Sequence, residues 1–310
     1  MRRLTGLSGL IGAAAVLLAA CSGAPTGGGS TSPGASASSR NNTAVAGAGV
    51  SKLLVIVLEN HSAQQASEQM PHLARLAHQY GRATSWYAVA HPSLPNYLEM
   101  TGGSTFGVSD DADPPAHPLS GPSVFGQLAG HGHHVAAYAE DMPSNCAPAN
   151  ENDYAVRHNA WTYFTDPAER QLCRAHDMPS GTTSSGNLRD AVDHGTLPAY
   201  AQLIPNVCHD GHDCPLGEAD TWLGQWMDVI RSGPDFTSGR LAVVVTFDED
   251  DDNADNHVLT VVAAKQLHHA VVGQKMTHAS LAAAPSRMVG LPPLRDAKGS
   301  PDLLKAFGLR

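Results

Sequence analysis

Lys52-Leu53-Leu54-Val55-Ile56-Val57-Leu58 is a continuous apolar, β-branched run that ends abruptly in Glu59-Asn60-His61-Ser62. A run that is apolar at successive positions, rather than at every second one, reads as a strand buried on both faces of a parallel sheet. In open α/β sheets ligands collect in the crevice beyond the carboxyl ends of the strands, so the polar residues after Leu58 stand where a site is expected. They also have a purely local reading, in which Glu59 and Asn60 cap the next helix.

Downstream, Met70-Pro71-His72-Leu73-Ala74-Arg75-Leu76-Ala77 carries a helical pattern, and a short strand follows around Ser85 to Ala90. A second helix and strand span Ser123 to Ala129 and His134 to Glu140. Leu241 to Phe247 and Val258 to Ala263 read as two further strands. Alternating strands and helices without a second linker predict one α/β domain over residues 50–310, with a mainly parallel central sheet and helices on both faces. The stretch from about Asn145 to Thr196 reads as a loop-rich excursion over one end of that sheet.

Upstream, residues 22–49 are almost wholly Gly, Ser, Thr, Ala, Pro and Asn, with no apolar periodicity, and read as a flexible tether. Residues 1–21 open with Arg2-Arg3, continue through an uncharged apolar stretch and end at Cys21, the layout of an export signal. Leu18-Ala19-Ala20-Cys21 resembles the lipobox of bacterial lipoproteins, which implies cleavage before Cys21 and a lipid on its sulfur. The expectation is an exported protein, either a cell-membrane lipoprotein facing outward through lipidated Cys21 or a secreted one. Four cysteines remain, Cys146, Cys173, Cys208 and Cys214, and an even number in an exported chain reads as two disulfides. Of three pairings, local closure favours Cys146 with Cys173 and Cys208 with Cys214. A zinc site is the rival, but none of the spacings is Cys-x-x-Cys.

Over the 310 residues, 19 Lys and Arg against 29 Asp and Glu leave a formal net charge of −10, and no long basic run occurs. That excludes nucleic acid as an expected partner, because phosphate backbones are bound by clustered cations. Oligomeric state is not written in the composition.

Three polar stretches carry candidate chemistry. In His91-Pro92-Ser93-Leu94-Pro95-Asn96-Tyr97-Leu98 two prolines stiffen the backbone around a serine, just before a helix-compatible run that begins near Asn96. A hydroxyl at a helix N-terminus sits where an anion such as phosphate is favoured. After the strand ending at Phe247 comes Asp248-Glu249-Asp250-Asp251-Asp252, with Asp255, Asn256 and His257 close behind. So many like charges must spread into solvent or meet a cation, and one or two read as ligands of a hard divalent metal while Asp251 and Asp252 read as solvated loop. In Cys208-His209-Asp210-Gly211-His212-Asp213-Cys214, a small ring would hold imidazoles and carboxylates that can bind metal, donate to an oxyanion or act as general acid.

Taken in order, these clusters resemble the bacterial phosphoesterase family of the alkaline phosphatase superfamily. The likeness is strongest to the secreted acid phosphatase branch, which shares the patterns at Ala139 to Pro143, Tyr154 to Trp161 and Thr277 to Leu281. The resemblance implies an alkaline-phosphatase-like fold and a metal-dependent phosphatase that hydrolyses phosphomonoesters through a phosphoserine at Ser93. It implies that Glu59, Asn60, Ser93, Asp248 and Glu249 hold a divalent metal ion. It implies too that His212, and after it His257 or His158, supports the phosphoryl oxygens or the leaving group. Expected substrates are phosphorylated small molecules or phospholipids. Two other readings remain: a phosphodiesterase or phospholipase C using the same site, and a non-catalytic lipoprotein that binds metal or phosphate.

Overall fold

The computed structural model describes residues 49–310. The leader expected at 1–21 with its Cys21, and the tether as far as residue 48, lie outside the described residues. No helix among the described residues is long and apolar enough to cross a membrane.

The strands are β1 (Lys52–Leu58), β2 (Gly81–Ala83), β3 (Trp86–Tyr87), β4 (Val135–Ala139), β5 (Asp177–Pro179), β6 (Tyr200–Ile204), β7 (Leu241–Phe247), β8 (Thr260–Ala264), β9 (Ala270–Val272) and β10 (Met276–Thr277). The helices are α1 (Ala63–Gln69), α2 (Pro71–Gln79), α3 (Ser93–Gly102), α4 (Val124–Gly130), α5 (Pro167–His176), α6 (Asn187–Asp193), α7 (Leu216–Ser232), α8 (Pro234–Thr237), α9 (His278–Met288) and α10 (Leu303–Ala306).

Eight strands form one sheet in the order β5-β4-β6-β1-β7-β8-β2-β9, and β10 pairs with β3 in a separate ribbon. β8 alone runs against its neighbours in the large sheet, so the sheet is mainly parallel. The opening heptapeptide is its centre: β1 lies between β6 and β7, with Val55 level with Gln202 on one side and Val244 on the other. Every residue of β7, and every residue of β1 after Lys52, is buried, which requires cover on both faces. One set of helices, α1, α2, α7 and α8, packs together over β7, β8 and β2; another, α3, α4, α9 and α10, packs together and reaches β4 and β10.

Several expectations shift. The strand expected over Ser85 to Ala90 shortens to Trp86–Tyr87 and leaves the main sheet. α3 begins at Ser93 rather than near Asn96, because Pro95 falls in the first turn, where a missing N–H breaks no helical hydrogen bond. The excursion from Asn145 to Thr196 contains α5, the edge strand β5 and α6, so part of it belongs to the sheet. Cys146 pairs with Cys173 and Cys208 with Cys214.

Candidate active site

The carboxyl ends of three strands meet beside α3. Asp248, just past β7, donates its N–H to the Leu58 carbonyl at the end of β1 (2.9 Å), and Glu59 donates its own to the carbonyl of Asp210 (2.9 Å) in the loop after β6. Backbone hydrogen bonding thus brings residues 59, 210 and 248 together although they are far apart in sequence. Asn60 adopts φ 54°, and its N–H donates to Asp248 Oδ1 (3.1 Å).

Helix α3 enters this crevice end-on. Its ten residues are all buried, and it stops at Gly103, whose φ of 74° and close approach to the Leu294 carbonyl (2.8 Å from a would-be Cβ) both call for glycine. Ser93 is the first helical residue, and its Oγ lies 3.1 Å from Glu59 Oε2 and 3.5 Å from Glu249 Oε1. One hydroxyl has one proton, so it can donate to only one of these carboxylates. One turn on, Tyr97 donates its hydroxyl to Glu59 Oε1 (2.5 Å), so Ser93 and Tyr97 hold the two oxygens of a single carboxylate. Asn96 donates to Glu249 Oε2 (3.1 Å), while its own carbonyl oxygen accepts the N–H groups of Val89 and Ala90.

His158 fills the far side. Its Nε2 lies 3.2 Å from Glu59 Oε1 and its Nδ1 3.0 Å from Asp210 Oδ2, yet neither contact is aligned as a hydrogen bond. Burial, reinforced by Arg157 and His212, holds the His158 imidazole well below its ordinary pKa. A neutral imidazole has one N–H and one lone pair, so only one of its nitrogens can donate to the carboxyl group it faces. Asp210 Oδ2 and Asp248 Oδ2 are likewise buried without a hydrogen-bond partner.

The electrostatics are strained in the same sense. Burial, then the charges of Asp248 and Asp210, push Glu59 well up. Burial pushes Asp248 up to about 6, Asp210 to about 7 and Glu249 to about 9. Four buried carboxylates and an imidazole with unmatched lone pairs form the oxygen and nitrogen donor set that a divalent cation takes, and ligand atoms of Glu59, His158 and Asp210 lie within 4.8 Å of one another. The residues fit such an ion.

The chain has counterparts among known proteins. Residues 48–285 match the model of the Phosphoesterase family. The chain belongs to the Phosphoesterase family. This phosphoesterase is 25% identical over 262 residues to the phosphatidylinositol-3-phosphatase of Mycobacterium tuberculosis, covering 82% of each chain. It is 28% identical over 276 residues to the phosphate-repressible acid phosphatase of Penicillium chrysogenum, covering 84% of this chain and 64% of that one. In fold it resembles a protein of the alkaline phosphatase superfamily from Vibrio parahaemolyticus, with a TM-score of 0.58, 13% identity, and 82% and 70% of the two chains covered. It is an enzyme of the phosphatase class, with an alkaline-phosphatase-like fold.

Of the sequence-expected residues, the structure gathers Glu59, Ser93, Asp248, Glu249 and His158. Asn60 enters through its backbone N–H. His212 lies at the rim, its ring 6.1 Å from that of His158. His257 points elsewhere: its Nε2 is 3.1 Å from the Thr84 carbonyl and its ring packs on Tyr87. Sequence reasoning held Asp210 only as part of the Cys208–Cys214 cluster, outside the implied ligand set, and left Tyr97 and His91 out of the site. His91 places Nδ1 3.2 Å from Glu249 Oε2 and Nε2 3.2 Å from Asp250 Oδ1. Ser93 and Tyr97 share a helix face only because α3 starts at Ser93, earlier than the expected start near Asn96, and the partners of His91 depend on the β7 loop folding back.

Proposed function

We propose that the phosphoesterase hydrolyses phosphomonoesters with Ser93 as nucleophile and with a divalent metal ion held by Glu59, Ser93, Asp248 and Glu249, joined by Asp210 and His158, with Asn60 fixing Asp248. The observation that carries this reading is the Ser93 hydroxyl between two carboxylates, 3.1 and 3.5 Å away, in a cluster of buried donors that lack partners. When bound, the ion would offset the carboxylate charge, lower the pKa of the serine hydroxyl and withdraw charge from the phosphoryl oxygens.

The chain's own residues then do the rest. Glu59 Oε2 accepts the Ser93 hydrogen bond and so fixes the hydroxyl at the first residue of α3. Oγ gives its proton to Glu59 and bonds to phosphorus as the P–O ester bond opposite to it breaks, the departing oxygen taking a proton from water and leaving a phosphoserine; water then attacks from the vacated side, the P–Oγ bond breaks, Ser93 regains a proton and inorganic phosphate is released. The amino end of α3 favours the anion throughout. Acid quenching during turnover of an aryl phosphate, followed by peptide mass analysis, should find phosphate on the Ser93 peptide. A quenched enzyme phosphorylated on another residue, or turning over without any phosphoenzyme, removes Ser93 from this role.

The substrate class extends to phosphorylated small molecules or phospholipids, on the model of the two relatives. Export, with a cleaved leader and lipid on Cys21, is part of the same proposal; the two disulfides support it, since such bridges persist in oxidising compartments.

A further inference from the structure

Arg157 stands on the 3₁₀ turn Val156–His158, directly before the imidazole that lies between Glu59 and Asp210. A guanidinium has five N–H donors, and among the described residues Arg157 makes one side-chain hydrogen bond, from Nη2 to His212 Nε2 (3.0 Å). Its Nε is 4.0 Å from Asp111 Oδ2, beyond hydrogen-bonding distance. Other arginines are consumed by structure: Arg287 binds the carbonyls of Lys298, Ser300 and Pro301, and Arg295 those of Gly102 and Pro122. Arg157 keeps its remaining donors next to His158, which contacts both Glu59 and Asp210.

His212 shows how it is aimed. Asp213 Oδ1 lies 2.6 Å from His212 Nδ1 and can only accept, so Nδ1 carries the ring proton. Nε2 is then an acceptor facing Arg157, which can only donate. Asp111 marks where an anion belongs: Oδ1 accepts the Leu94 N–H (2.8 Å), beside Ser93, while Oδ2 faces Arg157. A single carboxylate therefore spans the first turn of α3 and the guanidinium.

Charge balance supplies the need. Glu59, Asp210, Asp248 and Glu249 bring four carboxylates and Asp111 a fifth beside Arg157, and one divalent ion cancels two of these charges. A phosphate dianion approaching that residue of negative charge requires a further cation. Among the described residues Arg157 is the arginine that directly precedes a residue, His158, in contact with the cluster.

We propose that Arg157 recognises the phosphate group of the substrate and that His212 is a positioning residue, orienting the guanidinium through its Nε2 acceptor. The planar fork of arginine matches two phosphate oxygens, which a lysine cannot reproduce. This inference deepens the phosphatase reading and rests on it.

Steady-state kinetics on an aryl phosphate, with inorganic phosphate as competitive inhibitor, test it in wild type, Arg157→Ala, Arg157→Lys, His212→Gln and His212→Phe. Arg157→Ala should raise both KM and the phosphate inhibition constant by about 10- to 100-fold, the range of a lost charge-assisted pair, and added guanidinium ion should restore part of the affinity. Arg157→Lys should recover less than a tenth of it. His212→Gln, whose amide oxygen can still accept from Arg157, should stay near wild type in phosphate affinity, whereas His212→Phe should resemble Arg157→Ala. An unchanged phosphate inhibition constant in a folded Arg157 variant overturns the recognition role. Equal losses of kcat in both His212 variants at unchanged phosphate affinity overturn the positioning role. Phosphate affinity reports on recognition whether or not Ser93 is the nucleophile, so failure here stays distinct from failure of the phosphoserine trap.

Discussion

Buried carboxylates sit at both ends of the same strands, and they are treated in opposite ways. At the amino ends of β1 and β7, Asp235 receives Lys52 Nζ (2.7 Å), Arg240 Nη2 (2.8 Å) and the Leu197 N–H (3.1 Å). At the carboxyl ends, Glu59, Asp210, Asp248 and Glu249 have no lysine or arginine in ion-pair contact among the described residues, and two of their oxygens lack any hydrogen bond. A carboxylate enclosed by cations is part of the scaffold. A group of carboxylates enclosed without cations keeps its chemistry available, at a cost in stability that a bound ion would offset.

The contrast breaks most sharply at Ser93. Ser93→Ala should lower kcat by at least about 10³-fold while the thermal transition stays within a few degrees of wild type, because the change removes one hydroxyl and no scaffold contact. Circular dichroism melts alongside kcat measure this, and a folded variant with ordinary turnover would falsify the nucleophile.

The pH dependence of stability comes next. In the metal-free protein Asp248, Asp210 and Glu249 keep protons up to about 6, 7 and 9, where the unfolded chain has already released them. The folded state then binds more protons, so stability falls as pH rises from about 4 toward 9. Excess divalent ion should flatten or reverse that slope, since it takes ionised ligands. Melting in chelator should show a midpoint lower at pH 8 than at pH 5 by roughly 5 °C or more; a midpoint that rises with pH in chelator contradicts the assignment.

At the opposite end, Asp235→Asn should destabilise the fold by about 3 kcal/mol, by breaking a buried pair, while kcat per folded molecule stays unchanged. Loss of kcat without loss of stability would erase the distinction between the two ends. The smallest effect is expected at Tyr97→Phe, which removes one hydrogen bond to Glu59 and should weaken metal binding about 10-fold, read by calorimetric titration of the chelated protein.

The fold was legible where burial acts on the backbone directly. β1 after Lys52, and β7 apart from Thr246, are apolar at successive positions because both faces are covered, and that pattern survives without any tertiary knowledge. β6 was missed, although it hydrogen-bonds to β1, because Tyr200-Ala201-Gln202-Leu203-Ile204 is short and interrupted by a glutamine whose burial is satisfied by the Tyr200 hydroxyl (2.7 Å). In the site, Glu59, Ser93, Asp248 and Glu249 stand at strand ends or a proline-stiffened helix start, positions that sequence can mark. Asp210 and His158 acquire their meaning from contacts across the crevice, which follow from the register of β6 with β1 and from the path of a long connection.

Metal content of the purified protein, set against its phosphatase activity before chelation, after chelation and after readdition of divalent ion, bears most directly on the carboxylate cluster. Close to one or more divalent ions per chain, with activity lost on removal and regained on return, is the expected outcome. Full activity in protein shown to be free of metal would contradict it.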